Sequence, residues 1–327
     1  VVDVLVGGIG FLGVNLARVL VENGHRTIVV GRKGSEVKRP RITRALKELG
    51  VEIKLFNKLE ASVFENLGGD VYHYLIGVIS GSYDVQKRAH VDLLNEVVEA
   101  VTKLGSRLVY ISSIGAIGEV VGIKPGGLVY EEEVHLDPSR HKHYSYHEVT
   151  KAEGERLIVS RGSQLKGRWS IIRPGLLIGP WGYHIEWRLY KLLLDLRIAP
   201  KLGRGLPIVH VLDIAEIALE AGEGLYDGLW LNAVSPYYPD LSDLLLEGCR
   251  QLSRKCLSIP VGWTLKLAFL ATPLVPKGSP LALTLNLERL SYKYSSKYLR
   301  KREWRGIEVM VGDFLKWAKE GLTSSPP

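Results

Sequence analysis

A doubly wound α/β fold, a parallel sheet with helices on both faces, is predicted for this chain by three observations. Strand and helix signals alternate from the first residue to about 113, the opening run Val2 to Val6 is mostly β-branched, and a glycine-rich turn joins that run to a helical pattern. Parallel neighbours require crossovers, so repeated β-then-α units of this length imply a parallel sheet covered on both sides.

Taken in order, the first strand gives way to Gly7-Gly8-Ile9-Gly10-Phe11-Leu12-Gly13 and then to a helix through Leu16, Val19 and Leu20, which the turn Asn23-Gly24 ends. A second strand is expected at 27–30, a charged helix up to Leu49, a third strand at 51–56, and a short helix leading to Gly68-Gly69. A fourth strand is read at 70–76, a long amphipathic helix at 85–104, and a strand at 107–111 that runs into Ser112-Ser113. A Gly/Pro-rich stretch and the acidic Glu131-Glu132-Glu133 precede a helix expected from about 141 to 160 and a strand at 169–172. After Arg173-Pro174 the alternation breaks. A helix near 187–196, a strand at 208–211, a helix after Asp213 and a strand at 229–231 follow, and helices dominate from Pro236. The expected organisation is a Rossmann-type domain of residues 1–173 plus 207–233 and a smaller, mainly helical substrate lobe of 174–206 plus 234–327.

Composition supports a large folded unit. The 327 residues exceed one average domain, and 46% hydrophobic against 24% charged residues provides a sizeable core. The 35 Gly and 15 Pro are spread along the chain, which excludes collagenous, coiled-coil and disordered classes. The formal charge of +8 favours anionic ligands, and it is concentrated: residues 31–47 carry seven Lys/Arg with one Glu, and 291–305 carry six with Glu303. A generally basic surface is therefore not expected, and no nucleic-acid partner is read from the charge. Cys249 and Cys256 stand without a second Cys/His cluster, so neither a metal site nor a disulfide framework is expected, and a reducing cytoplasm fits. No basic leader or cleavage site opens the sequence, which argues against a secretory signal. The longest apolar stretch, Ile259 to Pro276, contains Lys266 and three prolines. It falls short of the ~20 clean residues of a spanning helix.

The turn Gly7-x-x-Gly10-x-x-Gly13 sits between a strand and a helix, where glycines permit close approach of backbone to a pyrophosphate. Placed at the first βα junction of an alternating chain, it points to a dinucleotide. A site that prefers NAD needs a carboxylate at the end of the second strand for the ribose 2′-OH; here that strand ends Val29-Val30-Gly31-Arg32-Lys33. With two cations in place of the acid, the 2′-phosphate of NADP is the better match, with NAD as the alternative.

Further segments complete the pattern: Asp70-Val-Tyr-His73-Tyr-Leu-Ile-Gly77, Val109-Tyr110-Ile111-Ser112-Ser113, Thr150-Lys151-Ala152-Glu153, Arg173-Pro174-Gly175 and Pro207-Ile-Val-His210-Val-Leu-Asp213. Together with the glycine turn, over about residues 1–235, they resemble the extended short-chain dehydrogenase/reductase superfamily, in its NAD(P)-dependent epimerase/dehydratase group. The resemblance implies a cofactor site that takes in Phe11, Leu12, Asn57, Lys58, Ile76, Gly77, Lys151, Pro174 and Leu177, and a homodimer through two long helices. It also implies a hydride site. In such enzymes a tyrosine, its pKa lowered from about 10 by a lysine ammonium and the nicotinamide charge, exchanges the substrate's proton while a serine orients the oxygen. Lys151 matches the lysine and Ser113 the serine. The tyrosine should lie four residues before Lys151, where this chain has His147. Three readings stand open: His147 moves the proton; Tyr144, seven residues before Lys151, supplies a phenol; or NADP is bound as a structural or regulatory ligand without turnover.

A second departure concerns the substrate. Sugar-nucleotide members of the resembled family carry an asparagine before the proline of the sixth-strand segment and an arginine four residues before the histidine of the Val-His-Val segment. This chain has Arg173 and Leu206 there. The Arg-Pro form is similar to the steroid-dehydrogenase, flavonoid-reductase and complex I accessory-subunit branches. Trp181, Tyr183, Trp187, Leu192, Leu193, Trp263, Leu267, Phe269 and Leu270 make the second lobe apolar, mostly as core and in part as a hydrophobic pocket. Arg188, Arg197, Lys201 and Arg204 read as solvated cations, with Arg204 the candidate for an anionic substrate. The leading expectation is an NADP(H)-dependent oxidoreductase or epimerase acting on a small-molecule carbonyl or secondary alcohol. A catalytically inactive NADP-binding protein and a sugar-nucleotide epimerase/dehydratase are the alternatives.

Overall fold

The computed structural model describes residues 1–132, 137–182, 185–264 and 274–322. β1 (Val2–Val6) leads into α1 (Phe11–Glu22), β2 (Arg26–Arg32), α2 (Pro40–Glu48), β3 (Glu52–Phe56), β4 (Val71–Tyr74), α3 (Leu93–Leu104) and β5 (Arg107–Ile111). After an irregular stretch come α4 (Tyr146–Ser160), β6 (Trp169–Pro174), β7 (Leu176–Ile178), α5 (Ile185–Leu196) and β8 (Ile198–Lys201). β9 (Ile208–His210), α6 (Val211–Gly222), β10 (Leu229–Ala233), α7 (Leu241–Gln251), β11 (Leu257–Pro260), α8 (Pro280–Leu290) and α9 (Ile307–Leu322) complete the chain.

The seven-stranded sheet runs in the order β10-β6-β5-β4-β1-β2-β3, every neighbour parallel. The predicted doubly wound α/β architecture is thus present. β1 lies between β2 and β4, with Val4 opposite both Ile28 and Tyr72. Strand order reverses beside β1, and in open α/β sheets ligands bind at the carboxyl ends of the strands at such a switch point.

Alternate side chains of each strand feed two cores. Leu5, Val29, Val109, Ile172 and Leu231 meet Leu16 and Leu20 of α1, Ile42 and Leu46 of α2, and Ile214 and Ile217 of α6. Val4, Val6, Ile28, Tyr72, Tyr110 and Ile171 meet Leu94, Val97 and Val101 of α3 and Ile158 of α4. Each such side chain taken fully out of water contributes ~1.5–3 kcal/mol, so sheet and helices fold as one. A third core gathers Tyr190 and Leu194 of α5, Leu244 and Leu245 of α7 and Met310, Val311 and Phe314 of α9.

Several boundaries differ from the periodicity reading, each for a local reason. The charged helix before Leu49 breaks at Arg39, because Pro40 can only open a helix; a separate turn of helix covers Ser35–Lys38. The helix expected at 85–104 is interrupted by a π turn at Arg88–Asp92. The helix expected from 141 starts at Tyr146, fixed by a capping box in which Ser145 accepts from the Glu148 N–H and Glu148 accepts from the Ser145 N–H. His141 and Lys142 instead pair antiparallel with Glu119 and Val120.

The expectation of unpaired cysteines is corrected: Cys249 and Cys256 form a disulfide, with their Cα atoms 6.1 Å apart. Past the end of α7 the chain turns at Ser253, in the left-handed region at φ 53°, and doubles back toward β11, bringing two residues seven positions apart face to face. Among the described residues, no helix is long and apolar enough to cross a membrane. Tyr183, Leu267, Phe269 and Leu270, expected in the apolar lobe, lie outside the described residues.

Candidate active site

One cavity of about 720 Å³ opens at the carboxyl ends of the central strands, from the glycine turn to the third core. Its first wall is the turn itself. Gly7 sits at φ +81°, where a Cβ would lie 2.5 Å from the Ile76 side chain, and a Cβ on Gly13 would run into the Gly8 carbonyl. α1 starts at Gly10 without a capping side chain and without an acid in its first turn, so its N–H groups remain for an anion. Gly7, Gly10, Phe11, Leu12 and Gly13 all line the cavity, as do Ile76, Gly77, Pro174 and Leu177.

At the end of β2 the lining consists of Arg32, Ser35, Lys38 and Arg39. Arg39 was not singled out by the sequence reading. Its guanidinium reaches back to donate to the carbonyl of Ile9, inside the glycine turn. No carboxylate occurs among the described residues that line the cavity. Lys33, Asn57 and Lys58, expected at this end, are exposed and outside the lining; Lys58 pairs with Glu60 at 2.7 Å.

The middle of the cavity holds Ser113, His147 and Lys151. Ser113 follows β5 and accepts from the Gly115 N–H at 3.0 Å, which leaves its hydroxyl proton to donate elsewhere. Lys151 is buried and donates to the carbonyls of Ile76 and Ile111 at 3.0 and 2.8 Å. Burial lowers its pKa to about 7, opposed by the nearby Glu155 carboxylate. His147 precedes it by one helical turn on α4 and is also buried, 6% exposed. Burial first, and the Lys151 charge second, lower its pKa to about 4, so at neutral pH it is an uncharged imidazole.

Hydrogen bonding fixes which nitrogen of His147 carries the proton. Nδ1 lies 3.2 Å from the Val78 carbonyl, which can only accept, so Nδ1 donates and Nε2 keeps its lone pair. Val78 is held from its other side by a residue the sequence reading did not name: its N–H donates to His90 Nε2 at 2.9 Å. His90 Nδ1 then donates to the Thr150 hydroxyl at 2.8 Å, and Thr150 donates to the Tyr146 carbonyl at 2.7 Å. His90 lies in the π turn with its ring edge-on to His147, 5.3 Å between centroids. Burial and the neighbouring charge of Lys151 push its pKa far down, so it stays neutral and can accept.

Tyr144 is placed differently. Because α4 begins at Tyr146, Tyr144 precedes the helix, donates to Glu119 at 2.5 Å and has Arg289 5.2 Å from its ring centroid. It is not among the lining residues, and burial and Glu119 raise its pKa. Arg173, which stands where sugar-nucleotide members have an asparagine, is 0% exposed and donates to Glu155 through Nε and Nη2 and to the Glu131 carbonyl through Nη1. Arg204 donates to the Arg289 carbonyl at 2.9 Å.

Comparison with known proteins bears directly on this arrangement. Residues 4–223 match the model of the NAD dependent epimerase/dehydratase family. The chain is 29% identical over 215 residues to the chloroplast stem-loop binding protein of 41 kDa b from Arabidopsis thaliana; the match covers 62% of this chain and 48% of the relative, so the chain spans about half of that protein's length. Among solved structures, the UDP-glucuronic acid 4-epimerase of Bacillus cereus in complex with NAD shares the fold at a TM-score of 0.71 and 14% identity, covering 98% of this chain and 97% of the other. The ADP-L-glycero-D-manno-heptose-6-epimerase of Helicobacter pylori gives the same TM-score and identity over 96% and 95%. With its glycine turn at the switch point of a seven-stranded parallel sheet and a family match over two thirds of its length, the chain belongs to the NAD dependent epimerase/dehydratase family of extended short-chain dehydrogenases/reductases, whose members bind NAD(P).

Proposed function

We propose that this protein is an NADP(H)-dependent oxidoreductase acting on a carbonyl or secondary alcohol, with His147 in the tyrosine's place. The observation that carries this reading is that Ser113, His147 and Lys151 line one cavity continuous with the glycine turn and with Arg32 and Arg39. The turn fits a dinucleotide, since its glycines leave no room for side chains and its helix start offers uncapped N–H groups. Gly7, Gly10 and Gly13 would hold the pyrophosphate and Arg32, Lys38 and Arg39 the 2′-phosphate, a preference supported by the absence of a lining carboxylate. Bound there, NADP supplies the hydride acceptor or donor.

The chain's own residues do the rest. Ser113 donates its hydroxyl proton to the substrate oxygen and fixes its position. His147, neutral and protonated on Nδ1, takes the alcohol's proton on Nε2, while the Lys151 ammonium favours the developing alkoxide. The reverse direction needs an imidazolium. With a pKa of about 4, only about one His147 in a thousand is protonated at pH 7, so His147 is a weak base in oxidation and a strong but scarce acid in reduction, and the direction is left to the substrate and cofactor concentrations.

The Arabidopsis relative is a stem-loop binding protein. The cations that line the cavity here sit beside a glycine turn, an arrangement suited to a single phosphate ester rather than a strand.

The test combines NADPH and NADH titrations with turnover of a panel of secondary alcohols in the presence of NADP. Tighter binding of NADPH is expected, with oxidation that drops ~10²–10⁴-fold in His147→Ala while NADPH affinity is kept. Unchanged turnover in that variant would remove His147 from the chemistry. NADPH binding with no turnover of any alcohol would favour a non-catalytic, NADP-sensing protein.

A further inference from the structure

Beyond Ser113 and His147 the cavity continues between β7, β9, α5, α7 and α8, and its character changes. Leu176, Leu189, Leu193, Leu206, Leu244 and Leu283 line this half. Its two hydroxyl groups are already engaged with backbone: Tyr190 donates to the Leu244 carbonyl at 2.7 Å and Thr284 to the Pro280 carbonyl at 3.3 Å. Among the described lining residues the cations are Arg32, Lys38, Arg39 and Lys151, all at the glycine-turn end or the reaction centre. Arg173 and Arg204, the two arginines weighed above in connection with the substrate, are engaged away from the lining, Arg173 with Glu155 and Arg204 with the Arg289 carbonyl.

A nucleoside diphosphate brings two negative charges that must exchange water for charge-assisted donors, and a leucine-lined wall offers none. An apolar ligand loses nothing there and gains in proportion to the surface it buries. The rim fits the same chemistry: Leu189 lines the cavity and is 53% exposed, ready to cover an apolar ligand at the entrance.

We infer that this half of the cleft takes an uncharged, predominantly apolar carbonyl compound or secondary alcohol, not a sugar nucleotide. The inference rests on the oxidoreductase reading only for the reacting group; the class of ligand is read by binding alone.

The test is calorimetric titration of the NADPH-saturated protein with the methyl ketones 2-pentanone to 2-undecanone, beside UDP-glucose and dTDP-glucose. Each added methylene is expected to tighten binding about three- to fourfold until the cavity is filled, and neither nucleotide sugar should give a signal. Leu193→Arg is expected to weaken the longest bound ketone at least tenfold. Leu283→Asn, a smaller change at the cavity edge, should do so by a lesser factor, with NADPH binding as the check that each variant is folded. Affinity independent of chain length, or a nucleotide sugar that binds more tightly than every ketone, overturns the inference. Chain-length-dependent binding without any NADPH consumption supports it and counts against the oxidoreductase reading.

Discussion

The two ends of the cleft are built by opposite means. At the glycine turn the wall is mostly backbone: Gly7 at φ +81°, Gly13 pressed on the Gly8 carbonyl, an uncapped helix start, and cations gathered from β2 and the segment after it. At the far end the wall is mainly leucine side chains from β7, α5, α7, α8 and the loop before β9, with no charge among the described lining residues there. The difference shows how one scaffold serves many reactions. A ligand shared by a whole family is read by backbone geometry that most substitutions leave alone, whereas the variable ligand is read by side chains, each of which can change without disturbing the sheet.

The largest way to break this contrast is at the turn. Gly13→Val places a branched side chain against the Gly8 carbonyl, and NADPH affinity is expected to fall by roughly 100-fold or more, read by fluorescence titration on protein whose melting curve shows it folded. Affinity equal to the parent's would mean that the dinucleotide lies elsewhere. A smaller effect sharpens the charge side of the comparison. Arg32→Ala and Arg39→Ala are each expected to weaken NADPH binding about tenfold and NADH binding less than twofold, since a charge-assisted hydrogen bond to phosphate is worth about 1.5–3 kcal/mol. Equal losses for both cofactors would reassign these arginines to the shared part of the dinucleotide.

The smallest effect is one of pH. Lys151 has a pKa of about 7 in the folded protein, because burial penalises its charge, while an unfolded lysine stays protonated to about 10.4. Between those values the unfolded chain binds the extra proton, so stability rises with pH over this window and falls as pH drops toward 7. Ligand-free protein should therefore melt roughly 2–5 °C higher at pH 9.5 than at pH 7 on this account, and Lys151→Met should flatten the difference. An identical pH slope in the variant would show that another group carries it.

The parallel sheet and the glycine turn were legible in the sequence because they rest on short-range signals: β-branched runs, helical spacing and glycines at fixed offsets. Ser113, His147 and Lys151 were singled out by the family resemblance, through their positions in its motifs, and the fold brings all three to one cavity. Tyr144 looked like part of the same stripe because the helix was expected to begin at 141; the Ser145–Glu148 cap starts it later and takes Tyr144 out of the helix. Arg39 and His90 carried no local signal. Arg39 reaches Ile9 across thirty positions and His90 reaches Thr150 across sixty, contacts that only the assembled fold creates. The disulfide was illegible because it depends on a left-handed residue, Ser253, in a turn without glycine.

The Val78 peptide is gripped from both sides, by His90 through its N–H and by His147 through its carbonyl, and this sets what the residue at 147 has to do. An imidazole has two heads: one nitrogen satisfies Val78 while the other remains for a substrate proton. A phenol carries its donor and its acceptor on a single oxygen, so Val78 and the substrate would have to meet it at one point. In His147→Tyr the contact to the Val78 carbonyl would pass from a ring nitrogen to the phenol oxygen at the far end of a longer side chain. The imidazole thus separates two tasks in space, anchoring the Val78 peptide on one side of the ring and facing the cleft with the other.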